Sequence, residues 1–224
     1  MIQGILFDLF ETLVTESSGS VRRASSLAAE LGVNDDAYRR HWRSRRLDIV
    51  VGRCSFPDTI AQIVRTLGGT PDEGLLERLR SERVKQKTAV LRTVEEDILA
   101  AVDALRARGL KLAVVTNSFA EDVAGWDSSP LRSLFDVTLF SCAAGVAKPD
   151  PEIYLRACRD LHVPADRALF IGDGGDNELD GARTAGLRAY RALWYLSRSP
   201  HVALARDEPG LWHAADVVHA AIAA

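Results

Sequence analysis

Two rhythms of apolar and polar positions run along this chain. Short runs, apolar on both faces, recur at GILFDLF (4–10), LKLAVVT (110–116), DVTLF (136–140), ALFIG (168–172) and LRAYRAL (187–193). They are rich in β-branched or aromatic residues. Strands buried between two helical layers read this way. Between most of them the spacing becomes helical. TVEEDILAAVDALRARG (93–109) sets Ile98, Leu99, Val102 and Leu105 at helical spacing, carries acids near its start and stops at Gly109. PDPEIYLRACRDLHV (149–163) starts with proline and acids and keeps Ile153, Ala157 and Leu161 on one stripe. Such alternation predicts an α/β fold, a parallel sheet with helices on both faces.

One region breaks the alternation. Residues 16–90 hold no convincing strand and read as helices over 20–31, 35–49, 57–68 and 73–88, punctuated by Gly32, Gly52 with Pro57, and GGTPDEG (68–74). This is too long for a loop in a compact domain. It predicts a helical domain, 16–90, inserted into a core made of 1–15 and 91–224, with linkers at Ser17–Ser20 and at about 89–93.

Charge narrows the partners. With 28 basic and 31 acidic residues the net charge is −3, so there is no electrostatic case for nucleic acid or an anionic membrane. Cys54, Cys142 and Cys158 lie far apart with no CxxC pair, which argues against a zinc site or a disulfide framework. A reducing, cytoplasmic setting is the simple reading. The first strand carries Asp8 and has no basic segment before it, so it does not read as a signal peptide, and no apolar run is long enough to span a bilayer.

In open α/β sheets ligands bind at the carboxyl ends of the strands. Four such places here carry polar groups. Asp8 follows ILF, and Thr116, Asn117 and Ser118 follow LAVV. Lys148 stands in AGVAKPDPEIY (144–154), and Asp173 follows LFIG inside GDGGDNELDGA (172–182). Singly, Asp8 or Thr116 also reads as a cap, Lys148 as a solvated loop lysine, and GDGGDNE as an acidic turn. As an ordered set at four strand ends they converge on one crevice.

The set resembles the haloacid dehalogenase superfamily, mainly phosphate-ester hydrolases with a nucleophilic aspartate. The likeness covers about 1–15 and 91–200, and KPDP (148–151) and GDGGDNELDGA carry most of its specificity. The resemblance implies a Rossmann-like catalytic core, with the insert as an α-helical cap domain. It implies that Asp8 attacks phosphorus and forms an aspartyl-phosphate, splitting one hard step into two. It implies Mg²⁺ held by Asp8, Asp173 and the Phe10 carbonyl, with Glu178 holding a metal-bound water or the lysine. Thr116 and the residues around Asn117 and Ser118 would bind phosphate oxygens, Thr12 would join the substrate-binding set, and Lys148 would neutralise phosphate and acids.

The family pattern for the first motif is DxDx(T/V), and this chain reads Asp8-Leu9-Phe10-Glu11-Thr12. The second aspartate, which protonates the leaving group and later activates water, is replaced by Phe10. Such help is worth roughly 10²–10⁴-fold. Three readings compete. The chain is a phosphatase with a good leaving group or an acid from elsewhere, such as Glu11 or the cap. It is a 2-haloacid dehalogenase, the subgroup with an aromatic residue here and no need of a metal. Or it is a degenerate member that binds without turnover. Asp173 favours the first, since a buried anion repels a haloacid carboxylate. HWRSRR (41–46) resembles a dehalogenase cap segment with Arg43 at the matching position; it also reads as a solvated basic helix face, or as a cap face for a phosphorylated or acidic small substrate. The tryptophans (42, 126, 194, 212) read as packing groups. The histidines (41, 162, 201, 213, 219) show no ligand spacing, and the glycines of the acidic loop read as turn formers. Substrate identity and oligomeric state, a homodimer included, stay open.

Overall fold

The structure, a computed structural model, describes residues 1–16, 21–198 and 210–223. Five parallel strands, β1 (Gly4–Phe7), β2 (Lys111–Thr116), β3 (Val137–Phe140), β4 (Ala168–Gly172) and β5 (Arg188–Arg191), form a sheet in the order β3-β2-β1-β4-β5. β1 lies in the middle, Leu6 beside Ala113 on one side and Phe170 on the other. Central strands in such a sheet bury both faces, and they do so here by strict alternation. Ile5, Phe7, Leu112, Val114, Leu169 and Ile171 share one core. Leu6, Ala113, Val115, Ala168 and Phe170 share the opposite one.

Helices α4 (Glu96–Ala107) and α9 (Asp216–Ala223) cover the first face, while α7 (Pro151–Leu161) and α8 (Glu178–Thr184) cover the second. Two short helices, α5 (Ala120–Val123) and α6 (Ser141–Ala144), follow β2 and β3.

Helices α1 (Asp35–Val50), α2 (Phe56–Thr66) and α3 (Glu73–Arg92) lie between β1 and α4 in the chain. Each begins on a side chain that accepts an otherwise free amide: Asn34 from Ala37, Ser55 from Asp58, Asp72 from Leu75. Their apolar faces form a third core around Tyr38, Trp42, Ile49, Ile60, Ile63 and Leu79, to which Phe119 and Ala147 from the sheet region contribute. Gly52 ends α1 with φ +72, and a methyl group there would run into the Cys142 carbonyl, so glycine permits the close approach of α1 to α6.

Three expectations are corrected. The helix expected over 20–31 is a single turn of 3₁₀ helix at Ala24–Ser26 followed by turns. Ser26 Oγ bonds back to the Arg23 carbonyl and Tyr38 OH takes the Ala24 carbonyl, so serine and tertiary contacts claim acceptors a helix needs. The linker expected at 89–93 is mostly helix, because α3 runs through Val90 and Leu91, both buried. The first strand stops at Phe7, not residue 10: the chain turns through Glu11 at φ +58, pinned by Leu13 and Val14 amides on the Leu9 carbonyl. The linker expected at Ser17–Ser20 and His201 lie outside the described residues. Among those described, no helix is long and apolar enough to cross a membrane, and all three cysteines are free.

Candidate active site

Asp8 follows the last residue of the central strand. Its amide bonds to the Ile171 carbonyl of β4 at 2.8 Å, which fixes the residue at the sheet's carboxyl edge. Lys148, from the loop before α7, reaches it there: Nζ lies 2.5 Å from Asp8 Oδ1 and 2.5 Å from Glu178 Oε2. All three are buried. Glu178 starts α8, and its other oxygen accepts the Gly174 amide at 2.9 Å. Gly172 makes this possible, since a methyl group there would collide with the Glu178 carboxylate. Asp173, half-buried, completes the group: carboxylate oxygens of Asp8, Asp173 and Glu178 lie within 4.8 Å of one another.

Burial dominates the electrostatics. It pushes the Asp8 carboxyl up to about 6, with Glu178 adding to the rise and Lys148 opposing it. Burial and the Asp8 charge push Asp173 up, and burial pushes Glu178 up against Lys148. Burial would lower Lys148, but the charges of Asp8 and Glu178 outweigh it and hold the ammonium protonated. When ionised, the three carboxylates leave negative charge uncompensated by one lysine. An all-oxygen donor set with excess negative charge fits a hard divalent cation. The Phe10 carbonyl accepts no hydrogen bond among the described residues and is free to join it.

Thr116 ends β2 with its hydroxyl unpartnered among the described residues, beside this cluster in the sheet. Asn117 clamps the lysine loop: Nδ2 donates to the Lys148 carbonyl and Oδ1 accepts the Lys148 amide, both at 2.8 Å.

The family model for haloacid dehalogenase-like hydrolases matches residues 2–186. The chain belongs to this family. It is 28% identical to a glyceraldehyde 3-phosphate phosphatase of Methanopyrus kandleri over 198 residues, 85% of this chain and 84% of the relative. It is 31% identical to protein CbbY of Cereibacter sphaeroides over 209 residues, 88% and 87% of the two chains. Among solved structures, a 2-haloacid dehalogenase from Pseudomonas syringae pv. tomato superposes with a TM-score of 0.67 at 21% identity, covering 100% of this chain and 99% of the other; that likeness concerns the fold.

Against the family pattern, the structure moves several expected binding residues. Thr12 is fully buried, its Oγ1 without a partner and its carbonyl accepting Trp194 Nε1 at 2.9 Å. Ser118 is buried too. Its amide is taken by Ser141 Oγ at 3.0 Å, and its hydroxyl lies 3.8 Å from Cys142 Sγ, leaving that amide unavailable to an anion. Burial pushes the Cys142 thiol up, away from nucleophilic duty. Glu11 is engaged by Thr15 Oγ1 at 2.8 Å and the Glu16 amide at 2.7 Å.

Arg43 is exposed on α1 and does not line the cavity bounded by Phe10, Trp42 and Asn117. Arg46 does. Its guanidinium grips Asp176 of the acidic loop at 3.0 and 3.2 Å, tying α1 to the loop that carries Asp173. The reason is helical phase: Tyr38, Trp42, Arg46, Ile49 and Val50 share one face, whereas residue 43 is turned about 100° from residue 42. The cavity, about 360 Å³, is lined by Phe10, Glu16, Trp42, Arg46, Arg83, Lys87 and Asn117 among others. Trp42 thus both packs and lines the cavity, within an aromatic cluster with Tyr38, Phe56 and Phe119.

Arg83 and Lys87 went unmarked in the sequence. Arg83 Nη2 lies 2.6 Å from Asp122 Oδ1 and stacks on Phe119, while Lys87 pairs with Glu16 and hangs 4.0 Å over the Phe10 ring. Their signal was positional: Leu76, Leu79, Arg83, Lys87, Val90 and Leu91 form one helical stripe, so two cations stand where core residues belong. A larger cavity, about 470 Å³, lies at the other end of the strands beside Gln3, Lys111 and Asp136.

Proposed function

We propose that this chain is a magnesium-dependent phosphatase acting on a small phosphorylated metabolite, with Asp8 as nucleophile. The observation that carries this reading is the acid cluster. Asp8 and Asp173 converge at the strand ends with too little positive charge to balance them, as a site for a divalent cation requires and a site for a bare haloacid carboxylate does not. The phosphatase names of relatives that align along most of the chain support it.

Asp8 would attack phosphorus and carry the phosphoryl group as an aspartyl-phosphate that water then releases. Lys148, held by Asp8 and Glu178, would orient the nucleophile and meet a phosphoryl oxygen. Thr116 Oγ1, unpartnered, would donate to another. Asp8, Asp173 and the Phe10 carbonyl would hold the metal, with Glu178 fixing the lysine rather than binding directly, since both of its oxygens are already in use. The bound cation would offset the charge of the acids and of the transferring group. Residues 16–90 would act as the cap over a core of 1–15 and 91–224, with the second junction at about 93–95 because α3 ends at Arg92. Asn117 would serve as a clamp on the Lys148 loop, and Arg46 as a latch between cap and core. The free cysteines would suit a reducing, cytoplasmic setting; a homodimer is open to sedimentation analysis.

Phe10 favours the second reading, a 2-haloacid dehalogenase, because halide leaves without a proton. One experiment separates them: phosphate release from p-nitrophenyl phosphate with Mg²⁺ and with EDTA, alongside halide release from 2-chloropropionate. Phosphate release that EDTA abolishes is the expected result. Halide release without metal, and no phosphate, overturns it.

A further inference from the structure

We propose that Asp176 is a positioning residue. It joins helix α1 of the insert to Asn117, and through Asn117 it sets where Lys148 meets Asp8, an inference that rests on the reading of Asp8 as the nucleophile. Each link is a direct hydrogen bond. Arg46 Nη1 and Nη2 donate to Asp176 Oδ1 and Oδ2 at 3.2 and 3.0 Å. Asp176 Oδ2 also accepts Asn117 Nδ2 at 3.1 Å. The same Nδ2 donates to the Lys148 carbonyl, and Asn117 Oδ1 accepts the Lys148 amide, both at 2.8 Å. Lys148 Nζ then lies 2.5 Å from Asp8 Oδ1.

An exposed aspartate on a loop is ordinarily a solvated group, and an exposed pair such as Arg46 with Asp176 adds little stability. Two observations set Asp176 apart. Its backbone stands at φ +51 and that of Asn177 at φ +56, a left-handed conformation in successive residues that are not glycine. Such conformations cost energy and persist where the surrounding contacts impose them. The acidic loop, moreover, holds its own chemistry without Asp176. The Gly174 amide binds Glu178, the Gly175 amide binds Asp173, and Arg191 Nε donates to the Asp173 carbonyl. Asp176 instead reaches outward, to the insert on one side and to Asn117 on the other.

With its second N–H bonded to Asp176, the Asn117 carboxamide is held in the orientation that grips both main-chain groups of Lys148. Misplacing such a group by about 1 Å can cost about 10²-fold in rate. The loss falls on kcat, because Lys148 matters most as charge develops on the transferring group. The Arg46 pair is weak enough to break and re-form as the insert shifts on the core. Lys148 is then fully aligned only when α1 is docked.

The test is a double-mutant cycle of Asp176→Gly and Asn117→Ala, read as kcat and KM for p-nitrophenyl phosphate at saturating Mg²⁺. Glycine keeps the left-handed backbone accessible. Asn117→Ala should lower kcat about 10²-fold and Asp176→Gly about tenfold, with KM moved less than about threefold. The double variant should be no worse than Asn117→Ala, as for residues that act as one unit. Arg46→Met should lower kcat about threefold by itself and add nothing to Asp176→Gly. Losses that multiply in the double variant overturn the proposal. So does an Asp176→Gly loss that is confined to KM or is removed by more Mg²⁺, which puts Asp176 at the substrate or behind Asp173. A wild type that releases halide from 2-chloropropionate and no phosphate overturns the phosphatase reading instead, and the same cycle is then read on halide release. A wild type that releases neither overturns the nucleophile role of Asp8 and this inference with it. If Asp176→Gly does not fold, Asp176→Asn, which removes the charge that Arg46 grips, is combined with Arg46→Met and read by the same criterion of non-additivity.

Discussion

The Lys148 contacts depend on the absence of a side chain at Gly172, and that dependence is measurable. A methyl group at 172 would collide with Glu178 Oε1 and sit 2.7 Å from its Cδ and 2.9 Å from the Phe170 ring edge. Gly172 is the last residue of β4 and has no positive φ, so Gly172→Ala has no backbone penalty, and the clash alone decides the outcome. The carboxylate must withdraw. It then loses the 2.5 Å bond from Lys148 and the 2.9 Å bond from the Gly174 amide. Hydrogen bonds to a charged group are worth about 1.5–3 kcal/mol each. The lower unfolded-state entropy of alanine returns about 0.4–1 kcal/mol. The net expected loss is therefore about 2–5 kcal/mol. Urea unfolding of the metal-free protein in EDTA measures it. The decisive comparison is a double-mutant cycle with Glu178→Ala, which removes the group that the methyl strikes. In that background Gly172→Ala should cost at least about 1.5 kcal/mol less than in wild type. Costs that add to within about 0.5 kcal/mol refute the reasoning, because they mean the methyl and the carboxylate never met.

Three further outcomes are expected. Mg²⁺ should raise the melting temperature of EDTA-treated protein, by about 2.7 kcal/mol of stability at a hundredfold excess over Kd; equal stabilisation of Asp173→Asn contradicts the proposed ligand set. Asp8→Asn should abolish phosphate release in a folded protein, and wild-type turnover in that variant rules out the covalent route. Arg46→Ala should change the urea-derived stability by less than about 1 kcal/mol, since its pair with Asp176 is solvent-exposed; a loss of several kcal/mol shows that the latch is part of the folding core.

The sheet was readable because buried parallel strands leave the plainest trace a sequence can carry: ILF, LAVV and LFI are apolar on both faces and stop at the polar residues that matter. Asp8, Thr116, Lys148 and Asp173 stand at or near those stops. What failed to read was local competition for backbone groups. Nothing in VRRASSLAAELG betrays that the Tyr38 hydroxyl, on a different helix, takes the Ala24 carbonyl, or that Ser26 turns back on Arg23. Ser118 misled for a related reason. It sits in the right motif, but the pattern names residue types and says nothing of which amide a neighbour has already claimed, as Ser141 claims the Ser118 amide.

The insert misread in a more instructive way. HWRSRR offers four cationic or titratable side chains in six residues; likeness to the dehalogenase cap segment selects Arg43, whereas helical phase selects Arg46. The same rule applies along α3, where Arg83 and Lys87 interrupt an apolar stripe that continues on both sides of them. A cation on the outer face of a helix loses little by being there. A cation on the buried face gives up its hydration and has to be compensated, here by Glu16, Asp122, the Phe119 face and the Phe10 ring. Charged residues at core positions of the insert are therefore the ones to test first, because each needs a specific partner to offset its burial. Phe10 then ceases to be merely the loss of an acid: its ring supplies one wall of the site in which Lys87 is held.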